Sequence, residues 1–184
     1  MALTPTRQIP LGFIAPEFDL INPKENKKQK LSDLKGDKGT LIVFMCNHCP
    51  YVIHILPELV NLANDYIKKG ISFIGINSND IISHPQDSPE NMIKIIHEYK
   101  IPFPYLFDES QEIAKAYSAE CTPDFSIFNK DLKCIYRGQM DDSRPGNGKE
   151  NNGKDIRAIL EQLINNKPIS SNQIPSIGCN IKWK

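Results

Sequence analysis

The hydrophobic pattern along the chain indicates two buried strands joined by a helix. Residues 40–45 (TLIVFM) and 71–77 (ISFIGIN) are β-branched and apolar runs without polar alternation, which is typical of strands covered on both faces. Between them, residues 50–69 carry apolar side chains at helical spacing, and Pro57 is expected to kink this helix. The order strand, helix, strand predicts a βαβ unit.

Further patterns predict the remaining elements. Ser88, Pro89 and Glu90 have the features of a second helix N-terminus: a capping side chain, a proline in the first turn and an early acid. The other predicted elements are an early strand at 19–21, the end of the second helix near 99, a short strand at 104–107, a helix at 109–117, a hairpin of strands 125–128 and 133–137, and a helix at 154–165. Residues 168–184 show no period and are predicted to be an irregular tail of a single domain spanning residues 1–184.

Composition and charge indicate an ordinary globular protein. The chain of 184 residues has 22 basic and 22 acidic side chains, so its formal charge of zero gives no reason to expect nucleic acid or a membrane as partner. The basic run at 24–30 (KENKKQK) is interpreted as a solvated loop. No apolar run reaches the length of a membrane span, and the first residues lack the pattern of a secretion signal. A cytoplasmic location is therefore expected.

The five cysteines, an odd number at low density, argue against a secreted disulfide scaffold. Two of them, Cys46 and Cys49, form a C-x2-C pattern where the first predicted strand meets its helix. The N–H groups and the dipole at a helix N-terminus favour an anion, and cysteines of such pairs reach pKa values of about 3.5–7.5. We therefore expect Cys46 to be a thiolate nucleophile and Cys49 to close the disulfide.

Two other interpretations of this pair stay open, a metal site and a pair of inert buried thiols. Half of a zinc site has the same spacing, but the sequence holds no second C-x2-C or H-x3-H pattern. His48 lies between the cysteines, where chelation by all three side chains would strain the turn. We expect no metal; instead, a cationic His48 would stabilise the Cys46 thiolate and raise the reduction potential above that of thioredoxin. The alternative is an exposed His48 without a partner.

A later pattern completes a resemblance to a known family. Cys121-Thr122-Pro123 precedes the predicted hairpin, and the order strand, C-x2-C, helix, Thr-Pro resembles the thioredoxin superfamily. Residues 31–44 (LSDLKGDKGTLIVF) and 136–147 (YRGQMDDSRPGN) resemble its redoxin, or AhpC/TSA, branch. The resemblance spans residues 10–165, nearly the whole chain.

This resemblance implies an α/β thioredoxin-like fold: a central mixed sheet with helices on both faces, an N-terminal strand extension and a helical insertion at 79–100. It implies a thiol-disulfide oxidoreductase that needs no bound cofactor and exchanges disulfides with a protein or a small thiol, while the oligomeric state is left open. Cys46 matches the attacking cysteine, Cys49 the resolving one, and Pro123 a cis-proline that holds the partner's backbone together with Thr122. The alternative for Thr122-Pro123 is an ordinary trans turn.

The sequence departs from this family near the cysteines. Thr40 replaces the buried acid of thioredoxins, which leaves the proton acceptor for Cys49 unassigned. Peroxiredoxins place a threonine three residues before the reactive cysteine, where this chain has Val43, so a thiol-dependent peroxidase acting through a Cys46 sulfenic acid is only the second hypothesis. A non-catalytic binding module is the third. The other departures are Met45, Pro50 and His54, in place of a tryptophan, a basic residue and a proline.

Several further side chains are candidates for shaping the site. Cys121 is either a third redox thiol or a small buried hydrophobe, and Cys179 in the predicted tail is a candidate mobile resolving thiol. In the polar loop after the hairpin, Arg137 or Arg144 could stabilise a thiolate or bind an acidic substrate group, oriented by Asp142. The alternative for this loop is a charged surface segment held by internal ion pairs.

Overall fold

The sheet at the centre of the structure mixes parallel and antiparallel strands. The computed structural model describes residues 3–184. The strands are β1 (Leu3–Pro5), β2 (Asp19–Asn22), β3 (Lys27–Lys30), β4 (Gly39–Phe44), β5 (Ile71–Asn77), β6 (Tyr105–Phe107), β7 (Cys121–Thr122), β8 (Asp124–Asn129), β9 (Cys134–Gly138) and β10 (Ile177–Asn180). The helices are α1 (Leu31–Leu34), α2 (Pro50–Tyr66), α3 (Pro89–Tyr99), α4 (Glu112–Ala116) and α5 (Lys154–Ile164), with short 3-10 turns at Ile67–Lys69 and Pro85–Asp87.

The first strand predicted from the sequence, β4, lies in the middle of the large sheet. Seven strands follow the order β3-β2-β6-β5-β4-β8-β9; β4, β5 and β6 are parallel, and the other pairs are antiparallel. Leu41 and Val43 pack with residues of α2, α3 and α5 on one face, whereas Ile42 and Phe44 pack with residues of α1 and α4 on the other. Helices therefore cover both faces, and the predicted α/β thioredoxin-like architecture with a mixed sheet is confirmed.

Most of the predicted elements form within a few residues of their expected bounds. The helix α2 begins where predicted and continues through Pro57. At the start of α3 the Ser88 hydroxyl accepts a hydrogen bond from the Asn91 N–H at 3.4 Å. The helix expected at 109–117 is shorter, because Gln111 has a left-handed φ of 64° and α4 begins only after it.

The basic run at 24–30 is not the loop expected from the sequence. Its second half forms β3, which pairs antiparallel with β2 at the edge of the sheet. The side chains are nonetheless mostly exposed. Lysines on an edge strand hinder pairing with another chain. This explains why a polar, basic segment can form the edge strand β3.

The C-terminal residues are also not the irregular tail predicted from the sequence. β10 forms a second, three-stranded sheet in the order β1-β10-β7. Beyond it, the Ile181 N–H donates to the Glu120 carbonyl at 2.9 Å and the Lys182 N–H donates to Asn79 Oδ1 at 2.8 Å. A four-residue strand offers too few positions for a detectable period, and its partners lie far away in the sequence.

The early strand predicted in the N-terminal extension is present as β2. The organisation of residues 1–184 as one domain stays a prediction. Within residues 3–184, no helix combines the length and the apolar character needed to cross a bilayer.

Arg137 lies in a buried ion pair and not at the thiols, where the sequence pattern suggested it. Its side chain is 1% exposed, its Nη2 lies 3.2 Å from Asp124 Oδ2, and its Nη1 donates to Ser126 Oγ at 2.9 Å. Along β8 these two partners alternate with Phe125 and Ile127, which pack on the α2 side, so Arg137 is on the opposite face of the sheet. Burial raises the pKa of the Asp124 carboxyl to about 7, against the lowering effect of the Arg137 charge.

We expect Arg137→Met to destabilise the fold without changing the thiol chemistry. The substitution leaves Asp124 buried without its counter-charge, which costs about 3–5 kcal/mol of the free energy of unfolding. Urea unfolding measures this loss, and Lys149→Met, which breaks an exposed ion pair with Asp142, is the control that stays near wild type. A small loss of stability together with an altered thiol titration would instead assign Arg137 to the thiols.

Candidate redox site

Cys46 and Cys49 lie in the loop at the carboxyl end of β4. Because β4 ends at Phe44 and α2 begins at Pro50, Cys49 is the N-cap of α2 and Cys46 lies further back in the loop. Proline at the first helical position has no N–H that needs a partner, which favours a helix start there. The expectation that Cys46 occupies the helix N-terminus is therefore wrong, and Cys49 takes that place.

The Thr122-Pro123 peptide faces both thiols. Its peptide bond is cis, as the resemblance implied. Cys46 Sγ lies 3.3 Å from Thr122 Oγ1, and Cys49 Sγ lies 3.3 Å from the Thr122 carbonyl oxygen. The two cysteines are 2% and 0% exposed. This geometry follows from the antiparallel pairing of β4 with β8, which sets the end of β4 opposite the start of β8.

The contacts of the reduced pair lower the pKa of Cys49 and raise the pKa of Cys46. Hydrogen bonding from the Cys46 thiol, helped by the Cys179 thiol and the Val52 N–H, outweighs burial and lowers the pKa of the Cys49 thiol to about 5. The hydrogen bond with Cys49, burial and the nearby Asp87 carboxylate raise the pKa of Cys46 well above its usual range. One contact, the carbonyl oxygen next to Cys49 Sγ, favours a protonated Cys49, but the donors outnumber it. These directions run against the sequence-based expectation of a Cys46 thiolate, which stays a prediction.

A buried carboxylate that sequence reasoning missed, Asp87, lies beside Cys46. Its Oδ1 accepts a hydrogen bond from the Asn47 N–H at 2.7 Å, and its Oδ2 accepts one from Asn79 Nδ2 at 2.7 Å. The residue belongs to the 3-10 turn before α3, inside the predicted insertion. A single aspartate in a polar stretch has no sequence signal, and only the folded chain brings it to the C-x2-C loop.

His48 has a partner, contrary to the alternative of a lone exposed histidine. Its Nδ1 lies 2.8 Å from Asp87 Oδ2, its side chain is 18% exposed, and its ring stacks on that of His84 with centroids 5.5 Å apart. The nearby Asp87 carboxylate contributes to the raised pKa of the Cys46 thiol. The structure therefore gives no support to a Cys46 thiolate stabilised by His48, and the raised reduction potential stays a prediction.

One group of donor atoms within the described part of the chain is close enough together to hold a metal ion. The donors of Cys46, His48 and Asp87 lie within 4.8 Å of one another. Structural zinc sites use four ligands, and the Asp87 oxygens already accept hydrogen bonds from Asn47 and Asn79. We assign no metal to this group and treat it as the electrostatic environment of Cys46.

The charged side chains of the loop after β9 bind one another. Arg144 donates to Gln139 Oε1 at 2.6 Å. Asp142 pairs at the surface with Lys149 and Lys154, which hold the pKa of its carboxyl well below the usual range. This arrangement corresponds to the alternative interpretation of a surface segment held by internal contacts, and the structure does not bring Asp142 to the thiols.

The two extra thiols differ in their relation to the pair. Cys121 Sγ contacts Thr6 Oγ1 at 3.9 Å and the Pro123 carbonyl at 3.7 Å, and burial raises the pKa of its thiol. Cys179 is not the mobile thiol of the sequence-based hypothesis, because it is 4% exposed and held in β10. Cys179 is paired with Thr122, whose carbonyl oxygen is 3.3 Å from Cys49 Sγ, and it contributes to the lowered pKa of Cys49.

Comparisons with known proteins identify the family and the fold of the chain. Residues 11–137 match the sequence model of the AhpC/TSA family. The whole chain aligns at 55% identity with 97% of an uncharacterized conserved protein from Geobacillus kaustophilus, whose solved structure has a TM-score of 0.98. The thiol-disulfide oxidoreductase ResA of Geobacillus thermodenitrificans is 24% identical over 72% of each chain. The thioredoxin domain of a thiol-disulfide oxidoreductase from Bacteroides vulgatus has a TM-score of 0.64 at 17% identity, covers 83% of this chain and 99% of its own, and shows the shared fold.

We expect a single thiol to ionise at low pH, and this step to depend on Cys49. Thiolate absorbance of the reduced protein should rise with a midpoint near pH 5, while Cys121, Cys134 and Cys179 stay protonated because burial raises their pKa values. Cys49→Ala should abolish the step, and Cys46→Ala should move it to higher pH by removing the main hydrogen-bond donor. Cys134→Ala is the control with an unchanged curve. A step that survives Cys49→Ala and vanishes in Cys46→Ala would assign the thiolate to Cys46.

Asp87→Asn should lower the pKa of Cys46. Asparagine keeps an oxygen for the Asn47 N–H but removes the negative charge that raises the pKa of Cys46, so we expect this pKa to shift downward. The pH dependence of Cys46 alkylation, read by peptide mass in a Cys49→Ala background, measures this shift. Glu90→Gln, an exposed charge removal in the first turn of α3, is the control. An unchanged profile in Asp87→Asn would show that this carboxylate does not act on Cys46.

Proposed function

The chain belongs to the AhpC/TSA family, and from that premise we propose that it is a thiol-disulfide oxidoreductase whose Cys46 and Cys49 alternate between a dithiol and a disulfide. One observation carries the proposal: each of the two sulfurs lies 3.3 Å from Thr122, at the cis Thr122-Pro123 peptide. Both sulfurs are thereby held in one orientation beside a single backbone segment. This suits thiol-disulfide exchange, in which the attacking, central and leaving sulfurs must lie in line. The likeness to ResA supports the same class of reaction.

Cys46 is the thiol that attacks a partner disulfide. It is flanked by the partly exposed His48, whereas Cys49 is fully buried and lies against Cys179 of β10. As Cys46 Sγ bonds to one partner sulfur, its proton passes to the Cys49 thiolate and the second partner sulfur leaves as a thiolate. Cys49 thus accepts the proton of Cys46, and once protonated it can donate to the Thr122 carbonyl.

The second step closes the internal disulfide. Cys49 gives its proton to the departing partner thiolate and attacks Cys46 Sγ of the mixed disulfide, and the remaining partner sulfur leaves as a thiolate. The partner disulfide has then been reduced to two thiols, while the Cys46–Cys49 dithiol has been oxidised to a disulfide. The reverse sequence oxidises a partner dithiol, and the reduction potentials of the two couples set the direction.

We propose a protein as the partner in preference to a small thiol. Ile53 in the first turn of α2 and Ile177 in β10 are 41% and 38% exposed, and both lie on elements that hold the pair. Exposed apolar side chains beside a reactive pair suit contact with another protein's surface. A reducing, cytoplasmic location is proposed because the five cysteines are odd in number and sparse.

Single cysteine substitutions should stop turnover at different steps. With a peptide disulfide as substrate and dithiothreitol as electron donor, Cys46→Ala and Cys49→Ala should each lower the rate on the order of a thousandfold or more, because each removes half of the pair. Cys49→Ser should leave the partner bound to Cys46 as a mixed disulfide that mass spectrometry identifies. Cys134→Ala, on the opposite face of the sheet, is the control with wild-type turnover.

Hydrogen peroxide separates this proposal from the peroxidase hypothesis. A peroxidase needs a Cys46 thiolate, and the raised pKa of that thiol works against one. Stopped-flow mixing of the reduced protein with peroxide should therefore give slow oxidation. Fast second-order oxidation by peroxide, together with no mixed disulfide in Cys49→Ser, would replace the proposal by the peroxidase.

A further inference from the structure

The chain's own C-terminal strand lies along the backbone that precedes Pro123. β10 pairs antiparallel with β7, so that Cys179 is opposite Thr122 and Asn180 is opposite Cys121. Just before β10, Ser176 Oγ donates a hydrogen bond to the Pro123 carbonyl oxygen at 2.8 Å. In the proposed reaction this is the backbone beside which a partner's sulfur has to lie, and β10 occupies it.

The fit of β10 depends on a glycine. A Cβ built on Gly178 would overlap the carbonyl oxygen of Thr122 and lie 3.0 Å from the nitrogen of Pro123. Only a residue without a side chain allows the strand to come this close. Beside the same peptide, the crevice between the loop after β9 and Ile177 has a volume of about 10 Å³, so nothing larger than one water fits there unless β10 moves.

This close approach brings a third thiol to the redox pair. Cys179 is 4% exposed and belongs to the same packed cluster as Cys46 and Cys49. Cys179 is paired with Thr122, whose carbonyl oxygen lies 3.3 Å from Cys49 Sγ. It therefore has the position of a partner cysteine next to the cis peptide, but it belongs to the same chain.

Building on the proposed function, we propose that Cys179 is an internal substrate thiol that takes over the disulfide of the pair and forms a Cys49–Cys179 bond. Cys179 loses its thiol proton and its sulfur attacks Cys49 Sγ of the Cys46–Cys49 disulfide. The bond between Cys46 and Cys49 breaks, and Cys46 leaves as a thiolate that accepts the proton. One disulfide is exchanged for another, so no further oxidant is required once a partner disulfide has oxidised the pair.

The new bond changes what the site presents to a partner. A Cys49–Cys179 disulfide ties β10 covalently to the N-cap residue of α2 and keeps the Thr122-Pro123 backbone covered. Cys46 is then a free thiol with no adjacent sulfur to resolve a mixed disulfide. The state is reversible, because attack of Cys46 on Cys49 Sγ restores the original pair and releases Cys179.

Disulfide mapping of the full chain tests this proposal. The reduced protein is treated with oxidised glutathione, quenched in acid, alkylated and mapped by peptide mass. In wild type we expect both Cys46–Cys49 and Cys49–Cys179 disulfides; in Cys46→Ala we expect Cys49–Cys179 alone, with the glutathione released. In the double variant Cys46→Ala, Cys179→Ser the glutathione should stay on Cys49. The double variant Cys46→Ala, Cys121→Ser is the matched control that should behave like Cys46→Ala.

The outcomes distinguish this proposal from the proposed function. If wild type forms only the Cys46–Cys49 disulfide and Cys46→Ala keeps glutathione on Cys49, the internal exchange is wrong while the oxidoreductase stands. If neither cysteine of the pair forms a disulfide in wild type, both proposals are wrong.

A glycine substitution provides a second measurement with all thiols present. Gly178→Ala should push β10 away from Thr122 and slow Cys49–Cys179 formation about a hundredfold, while the Cys46–Cys49 disulfide still forms. Ser171→Ala, at an exposed position in the segment before β10, is the control. An unchanged rate in Gly178→Ala would show that the seating of β10 does not control the exchange and would overturn the proposal.

Discussion

The position of both thiols beside Thr122 depends on the pairing of β4 with β8. Six residue pairs, from Gly39 with Asn129 to Phe44 with Asp124, define this antiparallel register. A shift by one residue would turn every side chain of β4 to the other face of the sheet. Because Leu41 and Val43 pack on the α2 side while Ile42 packs on the other, both faces oppose such a shift. The positions of the two thiols therefore depend on the apolar packing of β4, although the contacts between the thiols and Thr122 are themselves polar.

Cys46 and Cys49 are almost completely shielded from water, so the few polar contacts around them determine their pKa values. Burial disfavours both thiolates, so the balance between Cys46 and Cys49 is set by donors and charges within a few ångströms. The donors are at Cys49, whereas the negative charge of Asp87 is at Cys46. In the proposed reaction, this asymmetry allows Cys49 to hold the negative charge in the reduced protein and to accept the proton of Cys46 when Cys46 reacts.

The insertion and the C-terminal segment, which surround this core, converge on the same place. Asp87 accepts a hydrogen bond from Asn79, and Asn79 in turn accepts the N–H of Lys182 just beyond β10. The acid beside Cys46 and the strand beside Cys49 are therefore parts of one connected structure. Within this structure β10 covers the peptide edge next to Pro123.

The sequence by itself determined the elements that depend on local patterns. The buried runs of β4 and β5, the helical spacing of α2, the C-x2-C pair at their junction and the Thr-Pro before the hairpin are all encoded in short stretches, and together they predict the fold and the reactive sulfurs. Tertiary structure alone decided which surroundings shift the pKa of each sulfur, because these include Asp87, separated from Asn47 by 40 positions, and Cys179. It also turned Arg137 away from the thiols and made a strand of the apparent tail. Burial, ion pairing and strand addition act between residues that are distant along the chain, so no local pattern reveals them.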